Sequence, residues 1–285
     1  MLEGLIVAGG AALLAARLYV DNTLIEVSKY EIKNNKIPKE FNKFKIVQLS
    51  DFHSYGFEKD DFILLEKIYE EEPDMIVMTG DMVNKYDTKF EKFLNLAETL
   101  SKRYKIYYIV GNHEIRLKKE DLEYLLNKLR TFGIKILNDE KITMVRKSNH
   151  INIYGLHIPL AYYKVINRPD NVGKVISKVL KNCKEEEFNI LLAHNPLFFE
   201  EYSKYNVDLT LSGHVHGGMI RLPLLGAILS PERKFFPKYS HGIYEVKDKK
   251  LVVSRGLGHS KRGIRFFNKR DLVSITLYHV DNGIN

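Results

Sequence analysis

The chain of 285 residues carries a single cysteine, Cys183. One thiol excludes an internal disulfide and a zinc site built on cysteines. Low-complexity tracts are missing, and so is any repeat of about 20–50 residues, which excludes a solenoid or propeller. The N-terminus lacks a positively charged n-region and a twin-arginine pair. Glu3 is the only charge before Arg17, a poor match to a cleaved export signal. What the chain does have is a globular balance, with 45% hydrophobic and 28% charged residues. Those proportions exclude a disordered chain and a multi-span membrane protein, and the length supports a sizeable core.

Lys and Arg number 44 against 36 Asp and Glu, a formal net charge of +8. The stretch from Glu232 to Asp271 holds twelve basic and four acidic residues, so it alone matches the excess of the whole chain. A basic face of this kind fits an anionic partner or a solvated surface. Residues Gly4 to Ala16 are uncharged and mostly apolar, and Leu18-Tyr19-Val20 follow Arg17. A spanning helix takes about 20 apolar residues, so this run is borderline. Residues 1–22 are expected to be a membrane anchor. The Lys-rich flank from Lys29 to Lys45 then places the body on the cytoplasmic side of the cell membrane. Residues 23–44 read as a connecting segment or edge strand, and 45–285 as one domain with no internal linker.

From Lys45 onward short apolar runs alternate with helical patterns. KIVQLS (45–50), DMIVMTG (74–80) and KIYYIVG (105–111) read as buried strands. Between and after them, helices are predicted over 58–72, around Phe90–Ala97 and around Leu122–Leu129. Strands are expected near 135–145 and 151–156, then a helix around 170–182, then strands at NILLAH (189–194) and DLTLSGH (208–214). The tail, GIYEVKDKKLVVSRGLG and DLVSITLYHV, reads as strands in hairpins. This order predicts an α/β domain with a mixed sheet or two packed sheets.

Five of the strand-like runs end in polar residues of one chemical kind. They lead to Asp51 and His53, to Asp81, to Asn112-His113-Glu114, to His194, and to His214 and His216. In open α/β sheets ligands bind beyond the carboxyl ends of strands. Carboxylate, amide oxygen and imidazole are ligands suited to Mn, Fe, Zn or Ni. If these ends are extended, Asp51 with His53 and His214 with His216 each point two donors to one side. Seven donors from five segments exceed what one tetrahedral ion takes, and suit two ions about 3.5–4 Å apart.

The motifs D-x-H (51–53), G-D-x-V (80–83), G-N-H-E (111–114), A-H-N-P (193–196) and G-H-V-H-G-G (213–218) resemble those of the calcineurin-like metallophosphoesterase superfamily. I-R-L-P (220–223), F-P-K-Y (236–239) and V-S-R-G-L-G (253–258) look like its YkuE/YaeI-like, membrane-associated bacterial branch. The resemblance implies a four-layer α/β/β/α sandwich of two mixed β-sheets flanked by helices. It implies that Asp51, His53 and His216 hold one divalent metal ion, that Asn112, His194 and His214 hold another, and that Asp81 bridges them. Mn²⁺ is the expected metal, with Fe, Zn or Ni as alternatives. His113 would serve catalysis by protonating the leaving group rather than binding metal. His157 stands where many relatives carry Asp and receives no metal role.

The implied activity is hydrolysis of a phosphoester by a metal-bridging hydroxide. Its expected substrate is a phosphodiester or a lipid-linked or nucleotide pyrophosphate, since some relatives act on a UDP-linked diacylated sugar. Arg221, Arg255 and Arg262 are candidates for the substrate's remaining charge, because a guanidinium grips phosphate in a fork. Phe235-Phe236 and Phe266-Phe267 are either core pairs or contacts for acyl chains. A general phosphomonoesterase and a nuclease are the alternatives; no basic groove interleaved with aromatics supports nucleic acid as a partner. A non-catalytic scaffold fits poorly with a complete set of ligand histidines.

Overall fold

The computed structural model describes residues 2–53, 61–164, 169–218, 220–222, 225–229, 235–258 and 265–281. In chain order the elements are α1 (Leu2–Thr23), β1 (Ile25–Asn34), β2 (Phe44–Leu49), α2 (Asp61–Glu71), β3 (Met75–Met78), α3 (Glu91–Ser101), β4 (Lys105–Tyr108) and α4 (Lys119–Thr131). They continue with β5 (Lys135–Ile136), β6 (Glu140–Arg146), β7 (Asn149–Leu156), α5 (Val172–Leu180), β8 (Asn189–Ala193), α6 (Phe199–Tyr202) and β9 (Leu209–Ser212). The last are β10 (Ile220–Leu222), β11 (Gly226–Leu229), β12 (Gly242–Val246), β13 (Lys249–Val253) and β14 (Arg270–His279).

Two six-stranded mixed sheets form, in the orders β1-β14-β2-β3-β4-β5 and β12-β13-β9-β8-β7-β6. Within the first, β2, β3, β4 and β5 run parallel; within the second, β7, β8, β9 and β13 do. Strands such as MIVM and NILLA are buried at every position, as parallel strands covered on both faces must be. One apolar layer, including Ile46, Val77, Ile275, Ile153, Leu192 and Leu211, fills the space between the sheets. A second packs α2, α3 and α4 on the outside of the first sheet, through Ile68, Phe93, Leu100 and Leu129 among others. A third packs α5 and α6 on the outside of the second, through Ile176, Leu180 and Tyr202. The architecture is therefore the four-layer α/β/β/α sandwich.

Local chemistry explains the ends. Acidic Glu120 and Asp121 lie in the first turn of α4 and basic Lys128 and Arg130 in its last, matching the helix dipole. Gly133, at φ 78°, closes that helix, and the next N–H, of Ile134, bonds back to Leu129.

Two expectations need correction. The tail is not all hairpin: β12 and β13 pair as one, but β14 crosses to the first sheet, parallel to β1 and antiparallel to β2. Its apolar residues are buried on both faces, which an edge hairpin strand could not satisfy. At the N-terminus, α1 leaves Ile6, Val7 and Leu13 exposed (66%, 71% and 75%). No helix among the described residues is long and apolar enough to cross a membrane, so the expected spanning anchor is not found. Arg17 and Asp21 interrupt the apolar run and pair with each other at 2.8 Å.

Candidate metal centre

The C-terminal ends of β2, β3, β4, β8 and β9 meet at one edge of the sandwich. Gln48 joins the two sheets there, donating to Thr79 Oγ1 (3.0 Å) and to the Ser212 carbonyl (2.9 Å). Backbone bonds then lace the loops together: Asp51 N–H to Gly80 O, Gly213 N–H to His194 O, and Gly258 N–H to Asp51 O. Space is tight. A Cβ on Gly111 would overlap Asp81 Oδ1, and one on Gly213 would overlap Ser50 Oγ.

The expected extended presentation of paired donors does not occur. Asp51, His53, Asp81, His214 and His216 all take left-handed backbone, with φ between 51° and 71°. Each such non-glycine residue costs about 1–3 kcal/mol and persists only where its surroundings force it. The left-handed kinks turn each chain sharply at its strand end, so that successive side chains return to the same point.

Three groups of donors converge there, each with its ligand atoms within 4.8 Å of one another. They are Asp51 with His53 and His216, His53 with Asp81 and His113, and Asp81 with His194 and His214. His216 Nε2 lies 3.4 Å from Asp51 Oδ1 and 3.2 Å from His53 Nε2. His194 Nε2 lies 3.2 Å from Asp81 Oδ2 and 4.0 Å from Asp51 Oδ1. Asn112 adjoins the third group, one atom of its side-chain amide 2.7 Å from His214 Nδ1 and the other 2.9 Å from Arg116 Nη1. All seven expected donors therefore come together.

The surroundings hold these side chains in place. Ser50 Oγ donates to Asp51 Oδ2 (2.6 Å), and the His214 N–H donates to both Asp51 oxygens. The His113 N–H donates to Asp81 Oδ1 (2.7 Å). His194 Nδ1 bonds the Thr79 carbonyl (2.7 Å), which leaves Nε2 facing the carboxylates. Tyr163 stacks edge-on against His214, ring centres 5.0 Å apart.

Charge explains the protonation states. Burial pushes His53 down to about 3, and burial with His53 beside it pushes His216 well below the usual imidazole range. Both are neutral, the form that binds metal. Burial would also lower His194, but the Asp81 and Asp51 carboxylates outweigh it and hold it at about 9. Burial would raise Asp81, but His194 and His113 hold it well below the carboxylate range. A proton on His194 thus supplies part of the positive charge that two buried carboxylates need. His53 Nδ1 is buried without a hydrogen-bond partner, and neutral His53 and His216 face each other nitrogen to nitrogen. Oxygen and imidazole donors gathered at one point, short of positive charge, fit divalent cations.

Glu114, quoted in a motif but given no role from sequence, is fully buried and accepts from the N–H groups of Asp81, Met82, Val83 and Gly111. It ties the loop after β3 to the loop after β4. Glu114→Ala strands four buried donors, each costing about 1–3 kcal/mol when unpaired. Unfolding by denaturant should show a loss of at least about 3 kcal/mol; a loss below about 1 kcal/mol would contradict this bracing role. Ser50, Thr79, Tyr163 and Arg116 were also missed, because nothing local in the sequence marks them.

Of the arginines, Arg255 is buried and paired with Asp271 Oδ1 (3.2 Å) and Glu26 Oε1 (3.4 Å). Its charge is spent on those carboxylates. Arg221 is half-buried, donating to the Gly217 carbonyl at 3.2 Å. Arg262 lies outside the described residues. His157 belongs to none of the donor groups; its N–H donates to Asp139. Phe235 and Phe236 are exposed, while Phe266 and Phe267 stack half-buried on each other.

A sequence profile described as calcineurin-like phosphoesterase matches residues 44–218. The chain is 31% identical over 278 residues to the uncharacterized metallophosphoesterase YkuE of Bacillus subtilis, covering 96% of this chain and 92% of that one. It is 29% identical over 281 residues to an uncharacterized metallophosphoesterase of Aquifex aeolicus, covering 94% and 97%. Among solved structures, the phosphopantetheinyl hydrolase PptH of Mycobacterium tuberculosis aligns over 78% of this chain and 92% of that one, with 13% identity and a TM-score of 0.47. With a matched profile over more than half its length and full-length relatives of the same kind, the chain belongs to the calcineurin-like phosphoesterase family and is a metal-dependent phosphoesterase.

Proposed function

We propose that the chain hydrolyses a phosphodiester, or the pyrophosphate of a nucleotide-linked lipid, at a centre of two divalent metal ions. The observation that carries the reading is the pooling of Asp51, His53, Asp81, Asn112, His194, His214 and His216 at one edge of the sandwich. Asp51, His53 and His216 would hold one ion, Asn112, His194 and His214 the other, with Asp81 between them. Two such ions, when bound, lower the pKa of a shared water and neutralise phosphate oxygens.

The protein's own groups do the rest. His113 Nδ1 accepts from the Lys85 N–H at 3.2 Å, so a neutral His113 carries its proton on Nε2. That Nε2 stands 4.0 Å from Asp81 Oδ2, at the centre's rim. It is placed to donate to a phosphate oxygen and to the departing oxygen. Among the candidates in the described residues, Arg221 is less enclosed than Arg255 and has charge to offer an outer phosphate group. The exposed apolar side chains of α1, from Ile6 to Leu14, support attachment of α1 to a membrane surface rather than passage through it, and the Lys-rich flank from Lys29 to Lys45 supports the cytoplasmic face.

One assay panel tests this reading. The full-length protein is given Mn²⁺ and a phosphomonoester, a bis-ester, a cyclic nucleotide, DNA, and a UDP-linked lipid in vesicles. Hydrolysis of the bis-ester or the UDP-lipid, abolished by chelator and restored by Mn²⁺, is expected, with the protein sedimenting alongside the vesicles. Turnover of the monoester alone, cleavage of DNA alone, or turnover indifferent to chelator would overturn the substrate or the metal assignment.

A further inference from the structure

The last turn of α1 is bonded into the loops that carry the centre. Asn22 makes a reciprocal pair with the backbone of Arg265: its Nδ2 donates to Arg265 O (2.9 Å), and its Oδ1 accepts from Arg265 N–H (3.0 Å). Just before it, Arg17 pairs with the buried Asp21 and lies 4.5 Å over the Phe267 ring. The same helix thus grips the 265–268 segment at two points.

That segment in turn grips the donors. Arg265 is buried, and its Nη2 donates to the carbonyls of Arg255 (2.9 Å), Gly256 (3.0 Å) and Gly258 (2.7 Å). The 255–258 strap so fixed lies directly on Asp51: the Gly258 N–H donates to Asp51 O (2.7 Å) and the Leu257 N–H to Ser50 O (3.0 Å). A Cβ on Gly256 would stand 2.7 Å from Asp51 Cβ, so the strap leaves Asp51 no room to swing. Asn268 is buried too, and its Nδ2 donates to the His216 carbonyl (2.6 Å) and the Gly218 carbonyl (3.2 Å). Both receiving donors, Asp51 and His216, belong to the same group, with His53. Among the described residues, no bond of this relay reaches the side chain of His194 or Asp81 directly.

We infer that Asn22, Arg265 and Asn268 are positioning residues for one of the two cation positions, that of Asp51, His53 and His216, and that docking of α1 is thermodynamically linked to occupancy of that position. The inference rests on the dinuclear reading above. Coupling of this kind is reciprocal, so whatever shifts α1 on its seat changes affinity at that position by the factor that loading the position changes α1 docking. Left-handed Asp51 and His216 are held against their intrinsic preference, which makes their geometry sensitive to the loss of a restraint.

The test uses the full-length protein, with Asn22→Ala and Asn268→Ala, and Leu14→Ala as a control on the exposed part of α1. Manganese is titrated by calorimetry, the spin coupling of a manganese pair is followed by electron paramagnetic resonance, and folding is followed by metal-free thermal unfolding. His53→Ala provides the reference for loss of this position. The wild type and Leu14→Ala should bind two ions. Asn22→Ala and Asn268→Ala should weaken one ion by about 10–100-fold, the range typical of an outer partner's loss, and reproduce the uncoupled signal of His53→Ala. Adding Mn²⁺ to the wild type should slow hydrogen exchange in the last turn of α1. Equal weakening of both ions, or unchanged affinity with only a lower unfolding temperature, would overturn the relay. A wild type that binds no manganese would instead overturn the dinuclear reading itself.

Discussion

Asp81→Asn is expected to strip the protein of metal and to lower turnover by at least about 1,000-fold. Asp81 and His53 are each shared by two of the three donor groups, and Asp81 is the charged one, so its charge serves both halves of the centre. Its two oxygens have separate duties: Oδ1 accepts the His113 N–H, and Oδ2 faces His194 at 3.2 Å and His113 at 4.0 Å. An amide keeps the shape and removes the charge. With the charge gone, His194 loses the main attraction that holds its proton against burial. With Asp51 the one carboxylate left in the three donor groups, the site attracts cations more weakly, and several kcal/mol of transition-state stabilisation go with them, at about 1.4 kcal/mol for each factor of ten. Metal analysis of the purified variant, with its turnover of a bis-ester, checks the claim. Full metal content with normal turnover would remove Asp81 from the centre.

His113→Ala should separate metal from chemistry, keeping both ions and losing about 100–10,000-fold in turnover, the range for a positioned proton donor. His113 sits between Lys85, whose N–H occupies Nδ1, and the centre, which Nε2 faces. Its ring also packs edge-on against His53, centres 4.6 Å apart, so it cannot rotate freely. Substituting Gln, which offers an N–H but no titrating proton, should recover part of the loss. Loss of metal in His113→Ala would make it a ligand; normal turnover would end its catalytic role.

Much of this was legible in the chain. KIVQLS, MIVM and NILLA are continuous apolar runs, and such runs have one stable use in an α/β protein, as strands covered on both faces. Their polar ends marked Asp51, Asp81 and His194 as candidates. Other features had no local signal. β14 reads like a hairpin strand but inserts between β1 and β2, because a strand apolar on both faces gains most where both are covered. Arg255 reads as a phosphate ligand, yet Asp271, sixteen residues on, and Glu26, on another strand, claim its charge.

The amino-acid order by itself determined the donor inventory and the strand ends that carry it, because hydrophobic periodicity and ligand chemistry are properties of residues and their near neighbours. Only the tertiary structure decided how those donors meet. Left-handed kinks, which extended-strand reasoning missed, turn the side chains inward. Glu114 braces two loops, and Asn22 reaches a segment 243 residues away. Such contacts arise when strands of two sheets are closed onto one edge, and their energies depend on burial and distance that no local pattern encodes.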